Sequence, residues 1–238
     1  MTRSIHLLVL LTCAVLSGKC QQYYHAHAHQ LNKEPIAGPT LSINGVSSAV
    51  RTYWMRQATA ALGAPCPFAA FGTVIVNHTA NSGLGQIVCS GANANSKTGN
   101  PTMHGEMAAI TNCSAILTDP TGPYKLTAAQ AISAFKDLSL YTNAESCPMC
   151  ASAIRWAGFR EYIYGTTIRT LIEKGWGQIR ISSLELIAQS FDLPNPTRVL
   201  GEILTNETDP YFAWQFDPKH ECPKGCKRAA SGSCGAGG

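Results

Sequence analysis

The chain has 238 residues, of which 45% are hydrophobic, 8% aromatic and 13% charged, with a formal net charge of +4. Seven Phe, eight Tyr and four Trp within that composition exclude wholesale disorder, and the length suffices for a real core. A charge of +4 spread over this length releases too few counterions to nominate a nucleic-acid binder. Ten cysteines are too many to ignore and too few for a pure disulfide scaffold, so the question is which are staples and which carry chemistry.

Arg3 precedes an apolar run from Leu7 to Leu16, followed by the small residues Ser17 and Gly18. This order predicts a secretory signal over 1–20, because the run is shorter than the ~20 residues needed to span a bilayer. The mature protein is expected to be secreted, with no membrane segment after cleavage. Cleavage removes Cys13 and Cys20 and leaves Cys66, Cys89, Cys113, Cys147, Cys150, Cys222, Cys226 and Cys234 in an oxidising compartment. Asn-x-Ser/Thr triplets at Asn77, Asn112 and Asn206 fit a glycoprotein, with Asn112 the least suited because it falls in a predicted helix.

Residues 21–46 lack periodicity and read as a flexible leader. Within it His25, His27 and His29 could grip zinc or copper weakly, although a tail without fixed geometry or a second shell reads as solvated. The main domain is expected over 47–205. Ser47 opens a helical pattern ended by Gly63 and Pro65. Phe68 to Val76 and Gln86 to Ser90 read as a β-hairpin, and Gly91 to Thr102 as a loop. A helix from His104 to Leu117 is followed by loop over 118–127 and a short helix from Thr127 to Phe135. A strand is predicted over Leu138–Thr142, a helix over Pro148–Ala157, a strand over Glu161–Gly165, and helices over Thr167–Lys174 and Ser183–Gln189. Strands alternating with helices predict a layered α/β sandwich. A Cys-rich tail, 206–238, closes the chain.

Two segments stand apart, Pro101-Thr-Met-His104-Gly-Glu106 and Glu145-Ser146-Cys147-Pro-Met-Cys150, each leading into a predicted helix. One His and two Cys form a three-ligand zinc set that leaves a fourth tetrahedral position for water, the pattern of a catalytic site. Helix N-termini favour the thiolate form that metal binding requires. Pro148 between the two cysteines suits a first helical position, where its missing N–H costs nothing. Glu106, two residues beyond His104, is near the metal without needing to ligate it. Zinc lowers the pKa of its water, and a carboxylate there can take that proton and return it to a leaving nitrogen. A Cys-x-x-Cys pair alone could equally be a disulfide; the two motifs together, in this order, point to the metal.

These segments resemble the zinc-dependent cytidine deaminase-like superfamily, whose signature is H-x-E followed by P-C-x-x-C. The closest likeness is to its purine-acting branch, the tRNA adenosine deaminase and guanine deaminase type. It is carried by Asn100-Pro-Thr-Met-His-Gly-Glu106 and Thr142-Asn-Ala-Glu-Ser-Cys-Pro-Met-Cys-Ala-Ser-Ala-Ile154, and it covers roughly residues 47–205. The resemblance implies a three-layer α/β/α fold with a mixed five-stranded sheet and hydrolytic removal of a base amino group. By position it implies one zinc per chain on His104, Cys147 and Cys150, with Glu106 as proton shuttle. It also implies that Asn93, eleven residues before His104, hydrogen-bonds the base, and that Trp156 stacks on a purine. The substrate class it implies is a small nucleobase, nucleoside or nucleotide; a homodimer is common in that branch.

The chain departs from the pattern in three places. Ser146 stands where proline usually precedes the first cysteine. About ten extra residues separate His104 from Cys147, which the Asp119–Lys125 loop can absorb. Glu173-Lys-Gly-Trp-Gly-Gln178 resembles a loop where acidic residues are expected to meet guanine N–H groups, and Gly177 and Gln178 carry no charge. The alternatives are a cytosine- or cytidine-type deaminase, which shares the same core residues, and an inactive secreted zinc or disulfide scaffold, for which Glu106 has no use. With Cys147 and Cys150 assigned to zinc, six cysteines could close three disulfides among fifteen pairings. Three lie in the domain and three in the tail, so full pairing requires a bridge between them.

Overall fold

The computed structural model describes residues 42–80 and 83–237; the expected signal segment and His25, His27 and His29 lie outside the described residues. Ser47 caps the first helix, α1 (Ser48–Ala60), by accepting a hydrogen bond from the Val50 N–H. The expected hairpin is present as β1 (Gly72–Asn77) and β2 (Gln86–Ala92), paired antiparallel. It reaches further than its composition predicts. Gly91, read as loop, pairs with Thr73, and a one-turn helix, α2 (Asn95–Thr98), follows. Pairing to β1 and a helix lying directly on it hold this weak strand former in the ladder.

Next come α3 (Gly105–Thr118) and α4 (Ala128–Ala134), the latter opened by a capping box between Thr127 and Gln130. Then β3 (Ser139–Ala144), α5 (Pro148–Ala157) and β4 (Glu161–Thr166) form the central crossover. The chain continues through α6 (Ile168–Glu173), α7 (Ser183–Gln189) and β5 (Arg198–Leu200), a three-residue strand too short to show a period. Two short helices, α8 (Thr205–Thr208) and α9 (Pro210–Ala213), and a hairpin of β6 (Cys226–Arg228) and β7 (Cys234–Ala236) complete it.

The main sheet runs β2-β1-β3-β4-β5. β1 is antiparallel to both neighbours, whereas β3, β4 and β5 are parallel, as strands joined by crossover segments containing helices can be. Alternate residues serve opposite faces. Val74, Val76, Tyr141 and Ile163 pack with Trp54, Met55 and Ala58 of α1, while Ile75, Leu140, Tyr162 and Tyr164 pack on the other face with α3, α5 and neighbouring loops. Helices thus cover both faces, and β3 and β4 are buried throughout. Packing continues past residue 205: the Thr208 and Thr166 hydroxyls are 2.9 Å apart, and Phe212 and Trp214 are buried. Among the described residues no helix is long and apolar enough to cross a membrane.

Charge is also used inside. Arg51 of α1 and Glu161 of β4 are both buried, with Nη2 and Oε1 2.9 Å apart. Asn44 and Ser139 donate to the same carboxylate at 2.6 and 2.9 Å, so its lone pairs are well used. Among the described residues three disulfides form: Cys89–Cys113 ties β2 to α3, Cys222–Cys234 lies within the tail, and Cys66–Cys226 joins tail to domain across 160 residues. Closing so long a loop removes about 5 kcal/mol of unfolded-state entropy in the chain-entropy account.

Glu161→Gln leaves Arg51 buried without a counter-charge and is expected to cost about 3–5 kcal/mol in urea unfolding. Burial pushes this carboxyl up, but the Arg51 guanidinium, aided by Asn44 and Ser139, holds it below its ordinary 4.5. A carboxyl depressed on folding contributes in full above the unfolded value and loses that contribution as pH falls through the folded one. The gap between wild type and Glu161→Gln should therefore close below pH 4.5, the ordinary value of the group.

Candidate active site

Two glycines let the site form. Gly105, the first residue of α3, lies so close to β1 that a Cβ would stand 2.6 Å from the Phe71 carbonyl oxygen. At Gly91 of β2 a Cβ would stand 2.2 Å from the Ala109 nitrogen in the body of α3. A side chain at either position would hold α3 off the sheet. With both absent, the N-terminus of α3 reaches the carboxyl end of β3, where α5 begins.

His104 is the N-cap of α3 and Cys147 the N-cap of α5, and neither makes a side-chain capping bond. Their side chains turn instead toward each other and toward Cys150 on the first turn of α5. His104 Nδ1 is 3.5 Å from Cys147 Sγ and 3.6 Å from Cys150 Sγ, and all three ligand atoms lie within 4.8 Å of one another. A tetrahedral zinc with ordinary bonds to nitrogen and sulfur would space such atoms by about 3.6 Å. The residues fit a zinc ion. Cys150 and His104 pull the Cys147 thiol down to about 4, while the Cys147 sulfur and burial push the Cys150 thiol up. Cys147 in turn raises the His104 imidazole.

Glu106, only 5% exposed, sits on the first turn of α3. Burial pushes its carboxyl up, and the Ser146 side chain and its own backbone N–H oppose this without reversing it. A buried carboxyl of this kind holds a proton more readily than an exposed one. Asn93 is brought beside the cluster by the backbone: its N–H donates to the Phe71 carbonyl at 2.9 Å, and the next residue, Ala94, donates to Met103, the neighbour of His104, at 2.9 Å. Its half-buried side chain makes no hydrogen bond to any of the described residues.

Trp156 is not brought to the site. Cys150, Ala151, Ile154 and Arg155 are the buried residues of α5, whereas Trp156 points outward with 75% of its surface exposed. The helical pattern placed it on α5, but the stacking role was carried over from the motif, and helix periodicity turns this position away from Cys150. The Glu173–Gln178 loop does approach, through Trp176. That ring lies edge-on to Phe71 at 5.3 Å and its Nε1–H donates to the Phe212 carbonyl at 2.8 Å.

Sequence reasoning passed over three supporting side chains. Glu145 is buried and accepts from the Ile168 N–H, the Ser183 N–H and the Ser183 hydroxyl, each at 2.8 Å, tying the start of the cysteine loop to α6 and α7. Asn143 bridges β3 to the segment before β1, accepting from the Gly72 N–H and donating to the Ala70 carbonyl. Arg155 donates to four carbonyls, of Ser190, Leu193, Pro194 and Asn195, and anchors α5 to the 190–195 turn. Their partners are distant in sequence, so no local pattern announces them.

The family described as the cytidine and deoxycytidylate deaminase zinc-binding region matches residues 48–166, and the chain belongs to it. Guanine deaminase of Bacillus subtilis (strain 168) is 30% identical over 148 residues, 61% of this chain and 79% of that protein. A solved mutant of NE0047 in complex with 8-azaguanine shares the fold, with a TM-score of 0.51 at 18% identity over 81% of this chain and 93% of that one. A guanine deaminase structure from Nitrosomonas europaea covers 78% of this chain and 90% of its own, with a TM-score of 0.46 at 18% identity. The family and the Bacillus subtilis relative define the chain as a hydrolytic deaminase.

Cys150→Ser should lower bound zinc well below the wild-type content, whereas Glu106→Gln should leave it unchanged, both read by elemental analysis. After chelation and unfolding, alkylation mapped by mass spectrometry should label Cys147 and Cys150 among residues 42–237, since the other six cysteines there are paired.

Proposed function

We propose that this chain removes an amino group from a purine-like nucleobase, nucleoside or nucleotide, with His104, Cys147 and Cys150 holding zinc and Glu106 moving the proton. The observation that carries the reading is the ligand cluster with a buried, non-ligating carboxyl beside it. When bound, zinc supplies a Lewis acid that brings the pKa of a water near 7. Glu106 takes a proton from the attacking water as its oxygen bonds to the amino-bearing ring carbon. It then gives that proton to the departing nitrogen as the C–N bond breaks, and the proton left on the new hydroxyl passes to the ring nitrogen. Water and the amino compound become the oxo compound and ammonia, and Glu106 ends as it began. Asn93, half-buried and with a side-chain amide that makes no hydrogen bond to the described residues, would hydrogen-bond the base.

The purine preference is supported by the identity to a guanine deaminase. Guanine itself is a weaker fit, because Gly177 and Gln178 place no carboxylate in the loop behind Trp176. We also propose that the protein works outside the cell. Three disulfides among the described residues suit an oxidising compartment, in keeping with the apolar run from Leu7 to Leu16.

Zinc-loaded protein incubated with a panel of purine and pyrimidine bases, nucleosides and nucleotides should release ammonia from purines. Release from cytosine compounds alone would replace the purine reading with the pyrimidine one. Glu106→Gln should keep its zinc and lose about 10²–10⁴-fold in turnover; retained turnover would remove the proton-shuttle role.

A further inference from the structure

The loop that delivers Cys147 is held by backbone donors of two kinds. The Glu145 N–H donates to the Thr166 carbonyl at 2.7 Å, a continuation of the pairing between β3 and β4. The next N–H, that of Ser146, donates instead to a side chain, the Tyr162 phenol oxygen 2.6 Å away. Both residues are fully buried. Tyr162 stands in the middle of the sheet, between Leu140 of β3 and Val199 of β5, and its ring packs on Tyr164 with centroids 5.4 Å apart. A ring so enclosed presents its oxygen at a fixed point.

Cys147 depends on that point more than Cys150 does. Cys150 is fully buried on α5, and the helix itself sets its place. Cys147 is half-buried, precedes the first helical residue and makes no side-chain capping bond, so the loop behind it decides where its sulfur stands. The Ser146 N–H is the donor immediately before it, and Tyr162 is its acceptor among the described residues. Without that oxygen the N–H would be a buried orphan, which costs more than a made bond gains. Serine and tyrosine are thus a matched pair. A proline at position 146, as in the motif the chain resembles, has no N–H to give, and a phenylalanine at 162 has no oxygen to receive one. We propose that Tyr162 is a positioning residue for the metal centre: through the Ser146 N–H it fixes the turn that carries Cys147, and with it the Cys147 sulfur opposite His104 and Cys150. The inference rests on the zinc-ligand reading above.

The test uses the full chain, stripped with a chelator and reloaded with zinc or cobalt. Tyr162→Phe keeps the ring and removes one oxygen; it should weaken zinc about tenfold in chelator competition and shift the thiolate-to-cobalt absorption band. Tyr141→Phe is the control. It removes another buried phenol, one that bonds to His78 Nε2 at 2.8 Å on the α1 face of the sheet, and should leave both readings at wild type. Zinc affinity and cobalt band unchanged in Tyr162→Phe, or changed alike in both variants, would overturn the proposal. A second measurement needs no variant: residue-resolved hydrogen exchange of the wild-type holoprotein should find the Ser146 amide protected, and rapid exchange there would overturn the proposal too. Wild-type chain that takes up neither ion would remove the zinc reading and the proposal with it. A weakened and shifted Tyr162→Phe, in a protein that deaminates nothing in the panel, would uphold the positioning role and sink the deaminase reading alone.

Discussion

The site exists because two helices begin at nearly the same point, at the carboxyl end of β3. That convergence depends on Gly91 and Gly105, which let α3 lie against β2 and β1 at backbone contact. The N-cap position of each helix, which elsewhere holds a Ser, Thr or Asp serving the backbone, is here given to a metal-binding side chain. The cost is two helices without side-chain caps. In return, His104 and Cys147 face each other at 3.5 Å, and the positive end of α5 favours the thiolate.

A metal site is only as well defined as the shell behind it. Here that shell is polar and drawn from every quarter of the domain. Asn143 holds β3 to the chain entering β1, Glu145 holds the cysteine loop to α6 and α7, and Arg155 pins the far end of α5. The Cys89–Cys113 bridge fastens α3 to β2. Through Cys66–Cys226 the tail becomes part of the same body, and it supplies Trp214 to a buried cluster with Cys66 and Cys234. The aromatic contacts of Trp176 with Phe71 and Phe212 continue this support into the Glu173–Gln178 segment.

Much of this was legible beforehand. The helix over Pro148–Ala157 was readable to the residue, since proline starts it and Gly158, in the left-handed region at φ 72°, stops it. The α4 start at Thr127 was also expected, and the structure supplies its reason in a capping box between Thr127 and Gln130. What escaped were elements defined by their partners: β5, with no period to show, and the extension of β2 through Gly91. Trp156 illustrates a different failure. It sits on the expected helix, yet the helix presents it to solvent rather than to the cluster.

Sequence alone determined the chemistry available: one His and two Cys at metal spacing, a Glu two residues from the first, and six further cysteines that had to pair across domain and tail for all to be used. These are local or arithmetical properties, and they survive without knowledge of the fold. Tertiary structure decided everything that depends on distance between remote residues: which cysteines pair, that Arg51 is buried against Glu161, and that the Ser146 N–H meets the Tyr162 phenol. The reason is that side-chain periodicity says which way a residue points from its own element, whereas its partner is chosen by how the elements pack.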